Sequence, residues 1–228
     1  REVIEREWGQ GLIGSWNAAG WVDAPRRVGG RIARLVGAHE DEVICADSTS
    51  VNLFKVLAAA LRLKRAQDPA RDAIVSERGN FPTDLYIAQS IAELAGARLL
   101  AVPAGEIAAR LDERTAVLLL TQVNYRSGRM HDLAALTRRA HEAGALTVWD
   151  LAHSAGAVPV NLNAAGADFA VGCGYKYLNG GPGAPAFAFV AGRHHEALRS
   201  PLWGWMGHAE PFRFDLGYRP AAVVARLA

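Results

Sequence analysis

The stretch that decides the fold is residues 116–150, which read AVLLLTQVNYRSGRMHDLAALTRRAHEAGALTVWD. It opens and closes with apolar runs, at 116–121 and 146–150, and a segment of helical period lies between them. Asp132 is a good N-cap residue for that helix, and Gly144 is suited to the position after its end. Runs that are apolar almost throughout are typical of strands covered on both faces. The stretch therefore predicts a strand–helix–strand unit of a parallel sheet.

The same alternation continues outward in both directions. Further β-prone runs lie at 43–46, 73–76, 98–102, 169–172 and 187–190, and segments of helical period lie at 51–65, 83–95, 106–111 and 133–143. Strand followed by helix, repeated, predicts an α/β fold of three α/β/α layers around a mostly parallel sheet of roughly seven strands. Residues 201–228 are rich in aromatics and proline but have poor periodicity, and no structure is predicted for them.

Composition excludes several classes of protein. The 228 residues are 50% hydrophobic and 21% charged, which is typical of a soluble globular chain. The 25 Lys and Arg against 23 Asp and Glu, without a long run of like charge, predict no nucleic-acid partner. No apolar stretch approaches the roughly 20 residues that cross a bilayer, so no membrane segment is predicted. Cys45 and Cys173 are too few for a disulfide framework or a zinc site, which favours reduced thiols and a cytoplasmic location.

The first candidate for chemistry is Lys176, within GCGYKYLNGGPG at 172–183. It lies between two tyrosines, after a predicted strand and before a glycine-rich turn. An amine at the loop edge of a sheet, with small residues that admit a ligand, suits Schiff-base chemistry. A solvated loop lysine fits the bare pattern equally well. The glycines match neither of the usual nucleotide-phosphate motifs.

The second candidate is Asp150, at the end of the predicted strand 146–150. A carboxylate there can hold a pyridinium nitrogen protonated. The same residue type in this place is also a frequent helix N-cap. A metal site with His153 is a further alternative, although no third ligand has a compatible spacing.

The third candidate is the run of hydroxyls at Ser48, Thr49 and Ser50, where a helix is predicted to start. Hydroxyls and free backbone N–H groups at a helix N-terminus suit a phosphate. Simple N-capping explains one of the three hydroxyls.

Six sequence islands together resemble the fold-type I pyridoxal-phosphate enzymes and, within them, the kynureninase family. The islands are SVNL at 50–53, NFPTD at 80–84, VNYRSG at 123–128, WDLAHSAG at 149–156, YKYLNGGPG at 175–183 and GWMGH at 204–208. Their common order makes chance agreement improbable, and the resemblance runs from about Trp8 to the last residue.

The resemblance implies pyridoxal 5′-phosphate as cofactor and assigns a role to each matching position. Lys176 would hold the cofactor covalently, and Asp150 would partner its ring nitrogen. Phe81 would stack on the ring, with Asp84 and His153 close to the cofactor.

The resemblance also implies a phosphate site and a partner subunit. Thr49, Ser50 and Tyr175 would hold the phosphate, and Tyr175 is a catalytic candidate as the donor to a developing oxyanion. Trp205 would reach the phosphate across the interface of a homodimer. Trp16 is the best placed residue for a pocket that receives an aryl substrate.

The activity implied is hydrolytic Cβ–Cγ cleavage of L-kynurenine, and of its 3-hydroxy form, to anthranilate or 3-hydroxyanthranilate and L-alanine in tryptophan catabolism. We expect residues 1–228 to be the large cofactor-binding domain of a longer chain. The family's C-terminal small domain is absent from them, and with it the arginine that binds the substrate carboxylate.

Two alternatives remain. Another fold-type I enzyme, a cysteine desulfurase-like lyase or an aminotransferase, would share the cofactor. Desulfurases need a mobile cysteine, which neither Cys45, in a predicted strand, nor Cys173 provides. A non-catalytic nucleotide-binding module on a Rossmann-like sheet would leave the pattern of Lys176, Asp150 and Phe81 without a purpose.

Other polar and aromatic residues receive structural interpretations. His141 and the pair His194 and His195 are interpreted as surface histidines, because no third metal ligand accompanies them. For Trp8 and Trp21, core packing or a dimer contact is preferred to a substrate pocket.

Overall fold

A computed structural model describes residues 1–214 and 216–227, and a seven-stranded sheet forms its centre. The strands are β1 Val43–Cys45, β2 Ala73–Glu77, β3 Arg98–Val102, β4 Thr115–Thr121, β5 Leu146–Asp150, β6 Phe169–Gly172 and β7 Phe187–Val190. The α-helices are α1 Ser15–Ala18, α2 Ala24–Val36, α3 Thr49–Gln67, α4 Pro82–Ala95, α5 Ile107–Arg110 and α6 Leu133–Glu142. Short helical turns lie at Val3–Trp8, Leu12–Gly14, Trp21–Asp23, Ala104–Glu106, Gly192–His194, Trp205–Gly207, Pro211–Arg213 and Val223–Leu227.

The strand order is β1-β7-β6-β5-β4-β2-β3. Strands β2, β3, β4, β5 and β6 run parallel to one another, and β7 is antiparallel to both of its neighbours, β6 and β1. The prediction of a mostly parallel, seven-stranded α/β fold is therefore confirmed. No helix in the described part of the chain combines the length and apolarity that crossing a membrane requires.

Two apolar layers cover the sheet, and side-chain alternation along each strand feeds both. On β5, Trp149 packs into the layer that contains α2, α5 and α6, whereas Leu146 and Val148 pack into the layer with α3 and α4. The fully buried indole of Trp149 donates to Thr137 Oγ1 on α6 at 3.1 Å, so this large side chain is buried without an unpaired N–H.

Helix ends follow the predicted capping residues. Ser48 Oγ accepts from the Val51 N–H at the start of α3, and Asp132 Oδ1 accepts from the Ala135 N–H at the start of α6. Gly96 ends α4 with φ +61°, a conformation that glycine adopts without strain.

Helix α2, Ala24–Val36, is not among the helices predicted from the sequence. Its buried residues Gly29, Ile32, Ala33 and Val36 recur at helical spacing, which is the signal that could have found it. Gly29 lies against the backbone of β1, where a Cβ would come within 2.3 Å of the Val43 carbonyl oxygen. Within the described residues 201–214 and 216–227, the structure adds short helical turns and an isolated β-bridge between His208 and Pro220.

The topology brings the carboxyl ends of β1, β2, β4, β5 and β6 to one edge of the sheet. Because β7 is antiparallel, β1 points the same way as β6, and the Ala186 N–H donates to the Asp47 carbonyl at 2.8 Å. The loop that holds Lys176 therefore lies beside the turn that starts α3. All three candidate motifs meet at this edge, where ligands bind in open α/β sheets.

Candidate active site

Asp150 ends β5 with a carboxyl group that is 2% exposed. Its Oδ1 accepts from the Ala152 N–H at 2.8 Å. Turns, not a helix, follow it through the described residues 151–168, so the helix N-cap alternative is wrong here. Burial raises the pKa of Asp150 to about 6, although the Ala152 hydrogen bond and the nearby charge of Lys176 act in the opposite direction.

A second buried carboxyl, Asp84, faces Asp150 from the first turn of α4. Asp84 is 3% exposed, and its Oδ2 has no hydrogen-bond partner among the described residues. Burial and then the neighbouring Asp150 carboxylate raise the pKa of Asp84 well above its ordinary value. Two carboxyls that face each other in a dry site do not both ionise readily.

Lys176 extends from the loop after β6, and its Nζ lies 2.8 Å from His153 Nε2. The same amine lies 5.8 Å from the ring centroids of both Phe81 and Tyr175. Burial, followed by the charge of Lys176, lowers the pKa of His153, so its neutral ring can accept a hydrogen bond from the ammonium. The side chain is half-buried and hydrogen-bonded, unlike a freely solvated loop lysine.

Phe81 stands at the start of α4 and forms one wall of the site. Its ring meets Tyr125 edge to face, with centroids 5.2 Å apart at 86°. Asn80 Oδ1 accepts from the Phe81 N–H at 2.7 Å, and Asn124 Nδ2 donates to the Gly79 carbonyl at 2.8 Å. No role is predicted from the sequence for Asn80, Asn124 or Tyr125, although all three lie within the six sequence islands.

The start of α3 carries the hydroxyls that the sequence predicts as phosphate ligands. Ser48 alone serves as the N-cap, which leaves Thr49 and Ser50 for other partners. Thr49 Oγ1 is buried and has no hydrogen-bond partner among the described residues, while Ser50 is exposed. Buried hydroxyls are normally paired, so this atom is available to a ligand.

Tyr175 precedes Lys176 and is half exposed. Burial, then its interaction with Cys173, raises the pKa of the Tyr175 phenol, which keeps its O–H as a donor at neutral pH. Cys173 itself is buried, with Sγ 3.8 Å from the Ala152 carbonyl oxygen.

Trp16 and Trp205 lie together in a different part of the chain, where they form an aromatic cluster with Phe212 and Phe214. The Trp16 and Trp205 centroids are 5.9 Å apart, and Trp205 also stacks on Phe214. Trp205 Nε1 donates to the Pro211 carbonyl. The described ring contacts of Trp205 are with this cluster and not with Phe81 or Tyr175, so its role toward a cofactor stays a prediction that requires a second subunit.

The remaining candidates have structural contacts. No metal-binding group of His, Cys, Asp and Glu occurs in the described ranges, which leaves the alternative of a metal at Asp150 and His153 without support. The prediction of a surface histidine is wrong for His194, whose ring is largely buried, stacks on Phe169 and contacts Asp168. Trp8 stacks on Trp21 while remaining exposed, so it is not part of the core.

The residues at this edge fit the group that the sequence predicts. The buried polar atoms that lack partners among the described residues include Thr49 Oγ1, Asp84 Oδ2 and His153 Nδ1. A phosphate would satisfy the hydroxyl at the helix start, and a protonated ring nitrogen would match the carboxyl pair. Lys176 supplies the amine that an aldehyde requires.

Comparison with known proteins gives matches over most of the chain. Residues 23–202 match the family Aminotransferase class-V. A kynureninase from Burkholderia mallei (strain SAVP1) is 56% identical over 99% of this chain and 55% of its own length. A kynureninase from Pseudomonas fluorescens is 53% identical over 98% of this chain and 55% of its own length. The chain thus spans about half the length of these curated relatives.

Solved structures show the same fold at low identity. The apo cysteine desulfurase from Thermococcus onnurineus NA1 superposes with a TM-score of 0.77 at 23% identity, covering 92% of this chain and 53% of that one. A C-DES mutant with glycine covalently linked to its PLP cofactor gives a TM-score of 0.78 at 18% identity, covering 98% and 60%. At these identities the likeness concerns the fold alone.

Proposed function

Because the chain belongs to the aminotransferase class-V family of fold-type I pyridoxal-phosphate enzymes, we propose that it forms the cofactor-binding part of a kynureninase. The reaction is hydrolysis of the Cβ–Cγ bond of L-kynurenine to anthranilate and L-alanine, with 3-hydroxykynurenine as a second substrate. The observation that carries this proposal is 56% identity to a kynureninase across 99% of the chain. The convergence of Lys176, Asp150 and Asp84 at one sheet edge supports it.

The cofactor is pyridoxal 5′-phosphate. When bound, it supplies an aldehyde for an amine and a protonated ring that withdraws electrons from the substrate. In the proposed site, Thr49, Ser50 and the N-terminus of α3 bind the phosphate, and Tyr175 donates to it. Phe81 covers the ring and limits the access of water to it.

In the proposal, the carboxyl pair controls the proton at the ring nitrogen. The Asp150 carboxylate accepts a hydrogen bond from that nitrogen and keeps the proton on it. Asp84 keeps its own proton, because burial raises the pKa of its carboxyl. A neutral Asp84 beside Asp150 leaves a single negative charge opposite the ring.

Lys176 is the group proposed to move protons, and His153 orients it. As a free amine, Lys176 Nζ would take a proton from the substrate α-carbon and return one to the departing product. His153, with Nε2 2.8 Å from that Nζ, orients the amine. The neutral ring of His153 can accept a hydrogen bond from that amine.

Tyr175 is the proposed donor for the hydrolytic step. Its phenol stays protonated at neutral pH and can donate to an oxygen that gains charge when water adds to the aryl ketone. Because one O–H donates one hydrogen bond at a time, Tyr175 would donate to the phosphate and to the oxyanion in turn, not to both at once.

The proposal includes a homodimer in the cytoplasm. Trp205 would reach the phosphate bound by the partner subunit, and Trp16, 5.9 Å from Trp205, would line the pocket for the aryl group. Residues 1–228 are proposed to act as the large domain of a longer polypeptide, with the arginine for the substrate carboxylate outside them.

A direct assay separates this function from that of a cysteine desulfurase. The purified longer polypeptide that is proposed to contain residues 1–228, supplied with pyridoxal phosphate, is expected to release fluorescent anthranilate from L-kynurenine and no sulfide from L-cysteine. Both cysteines, Cys45 and Cys173, are buried, and burial raises the pKa of Cys45, which disfavours a persulfide-forming nucleophile. Sulfide release without anthranilate would refute the proposal.

A further inference from the structure

The turn between β1 and α3 contains a residue in an unusual conformation. Asp47 has φ +48°, which is uncommon for a residue with a side chain. Its carbonyl accepts from the Ala186 N–H, which continues the pairing of β1 with β7. The next residue, Ser48, caps α3. The backbone of Asp47 therefore sets the direction in which α3 begins.

A buried lysine holds this turn. Lys55 lies two turns into α3 and is 5% exposed. Its Nζ donates to Asp47 Oδ2 at 2.6 Å and to the Leu227 carbonyl oxygen. Burying an ammonium is costly unless it is paired, so these two contacts hold Lys55 in place. The contact with the Asp47 carboxylate in turn restrains Asp47.

Two buried side-chain oxygens next to the turn lack hydrogen-bond partners among the described residues. Thr49 Oγ1 and Asn52 Oδ1 are buried, and neither has a hydrogen-bond partner in residues 1–214 or 216–227. Asn52 is fully buried and uses its Nδ2 to donate to the Ala46 carbonyl at 2.8 Å. The helix start that Lys55 fixes is thus a polar site that a ligand can complete.

We propose that Lys55 is a positioning residue for phosphate: by clamping Asp47 in its left-handed turn, it holds Thr49 and the first N–H groups of α3 in the orientation that receives the phosphate of the cofactor. The inference rests on the proposed cofactor site and deepens it. Lys55 acts through Asp47 and does not itself touch the ligand.

The test compares two ligands that differ only in the phosphate. Dissociation constants of pyridoxal 5′-phosphate and of pyridoxal are measured on the full chain for the wild type and for Lys55→Met. Without Lys55, the turn can relax, and phosphate binding must then restore its strained conformation. We expect this cost to weaken phosphate binding by about tenfold to a hundredfold. Pyridoxal affinity is expected to stay within about twofold of the wild type, since its ring and aldehyde contacts are elsewhere.

Lys64→Met is the matched control, because it makes the same replacement near the other end of α3, and it is expected to leave both constants unchanged. If Lys55→Met does not fold, Asp47→Ala breaks the same ion pair from its more exposed end and is expected to give the same selective loss.

Equal weakening of both ligands, or no weakening of either, in the folded variant would overturn the role of Lys55. A wild type that binds pyridoxal 5′-phosphate no better than pyridoxal would instead contradict the cofactor site itself. The two failures are therefore distinguishable.

Discussion

Two buried aspartates at opposite edges of the sheet, Asp168 and Asp150, have pKa values shifted in opposite directions. Asp168, 1% exposed at the amino edge, accepts from the Thr147 N–H and hydroxyl and contacts His141, His194 and Arg193 at 2.7–3.0 Å. Although burial opposes it, these hydrogen bonds, those of His141 and His194 first, hold the pKa of Asp168 well below its ordinary value.

At the carboxyl edge, Asp150 accepts one backbone hydrogen bond and faces another carboxyl, and burial raises its pKa. This contrast separates an aspartate that stabilises the fold, Asp168, from Asp150, which is proposed to serve chemistry. A carboxylate whose partners are all supplied by the chain stabilises the fold. A buried carboxyl without enough partners is costly to the folded chain, which is a common feature of ligand sites.

The largest expected effect lies at the carboxyl edge. Lys176→Ala removes the amine that is proposed both to hold the cofactor and to move protons, so turnover of kynurenine should fall by about a thousandfold or more. The visible absorbance of bound cofactor should also be lost, while the thermal unfolding midpoint of the apoprotein changes little. An unchanged spectrum after removal of free cofactor would show that another residue holds it.

The reverse outcome is expected at the amino edge. Asp168→Asn leaves Arg193, His141 and His194 facing a neutral amide and should lower the free energy of unfolding by about 3–5 kcal/mol, with unchanged affinity for pyridoxal phosphate in the folded protein. Chemical denaturation and cofactor titration measure the two quantities. A loss of cofactor affinity at unchanged stability would remove the distinction between the edges.

The pH dependence of this loss follows from the sign of the shift. Because the folded pKa of Asp168 is depressed, its contribution is complete above the ordinary value of 3.8 and is lost as the pH falls below it. The stability difference between wild type and Asp168→Asn should therefore shrink on acidification below about pH 4.

Asp150→Asn should change the free energy of unfolding of the apoprotein in the opposite direction. Because burial raises the pKa of Asp150 from 3.8 to about 6 in the folded protein, ionisation of this carboxyl lowers the stability of the wild type as the pH rises through that range. The neutral amide keeps the acceptor for the Ala152 N–H, so the variant should be more stable by about 1–3 kcal/mol at pH 7 and equal to the wild type near pH 4. Its turnover should nevertheless fall. An apoprotein destabilised at pH 7 would contradict this account of Asp150.

The smallest effect is expected at Phe81. Phe81→Leu removes the aromatic face and should weaken binding of pyridoxal phosphate by about twofold to tenfold, without a change in the unfolding midpoint. Tyr86→Leu, an exposed aromatic on the same helix, is the control that should leave binding unchanged. Equal effects in the two variants would remove Phe81 from the cofactor site.

The sequence predicts the sheet well because six of its seven strands are buried throughout, and such strands are apolar along most of their length. Strands β5, β6 and β7 begin and end where predicted, and so does β3, which lies at the edge of the sheet and is partly exposed. Capping residues such as Ser48 and Asp132 locate helix starts for a similar reason, because the side chain and the backbone it caps are local.

Long-range contacts are where sequence patterns fail. Nothing in the pattern around His194 indicates that its ring meets Asp168, 26 residues earlier, because that contact depends on β6 and β7 pairing. Lys55 reads as an ordinary helix lysine, and its burial depends on Asp47 and on Leu227, 172 residues away. The pairing of Asp84 with Asp150 likewise requires α4 and β5 to meet.

Lys176 is proposed to hold the cofactor covalently at the carboxyl edge of the sheet. Borohydride reduction of the protein loaded with pyridoxal phosphate, followed by peptide mass analysis, identifies the attachment residue. We expect one modified peptide, with the pyridoxyl group on Lys176. A modification on Lys55 or Lys64, the other lysines of the chain, or no modification at all, would contradict it.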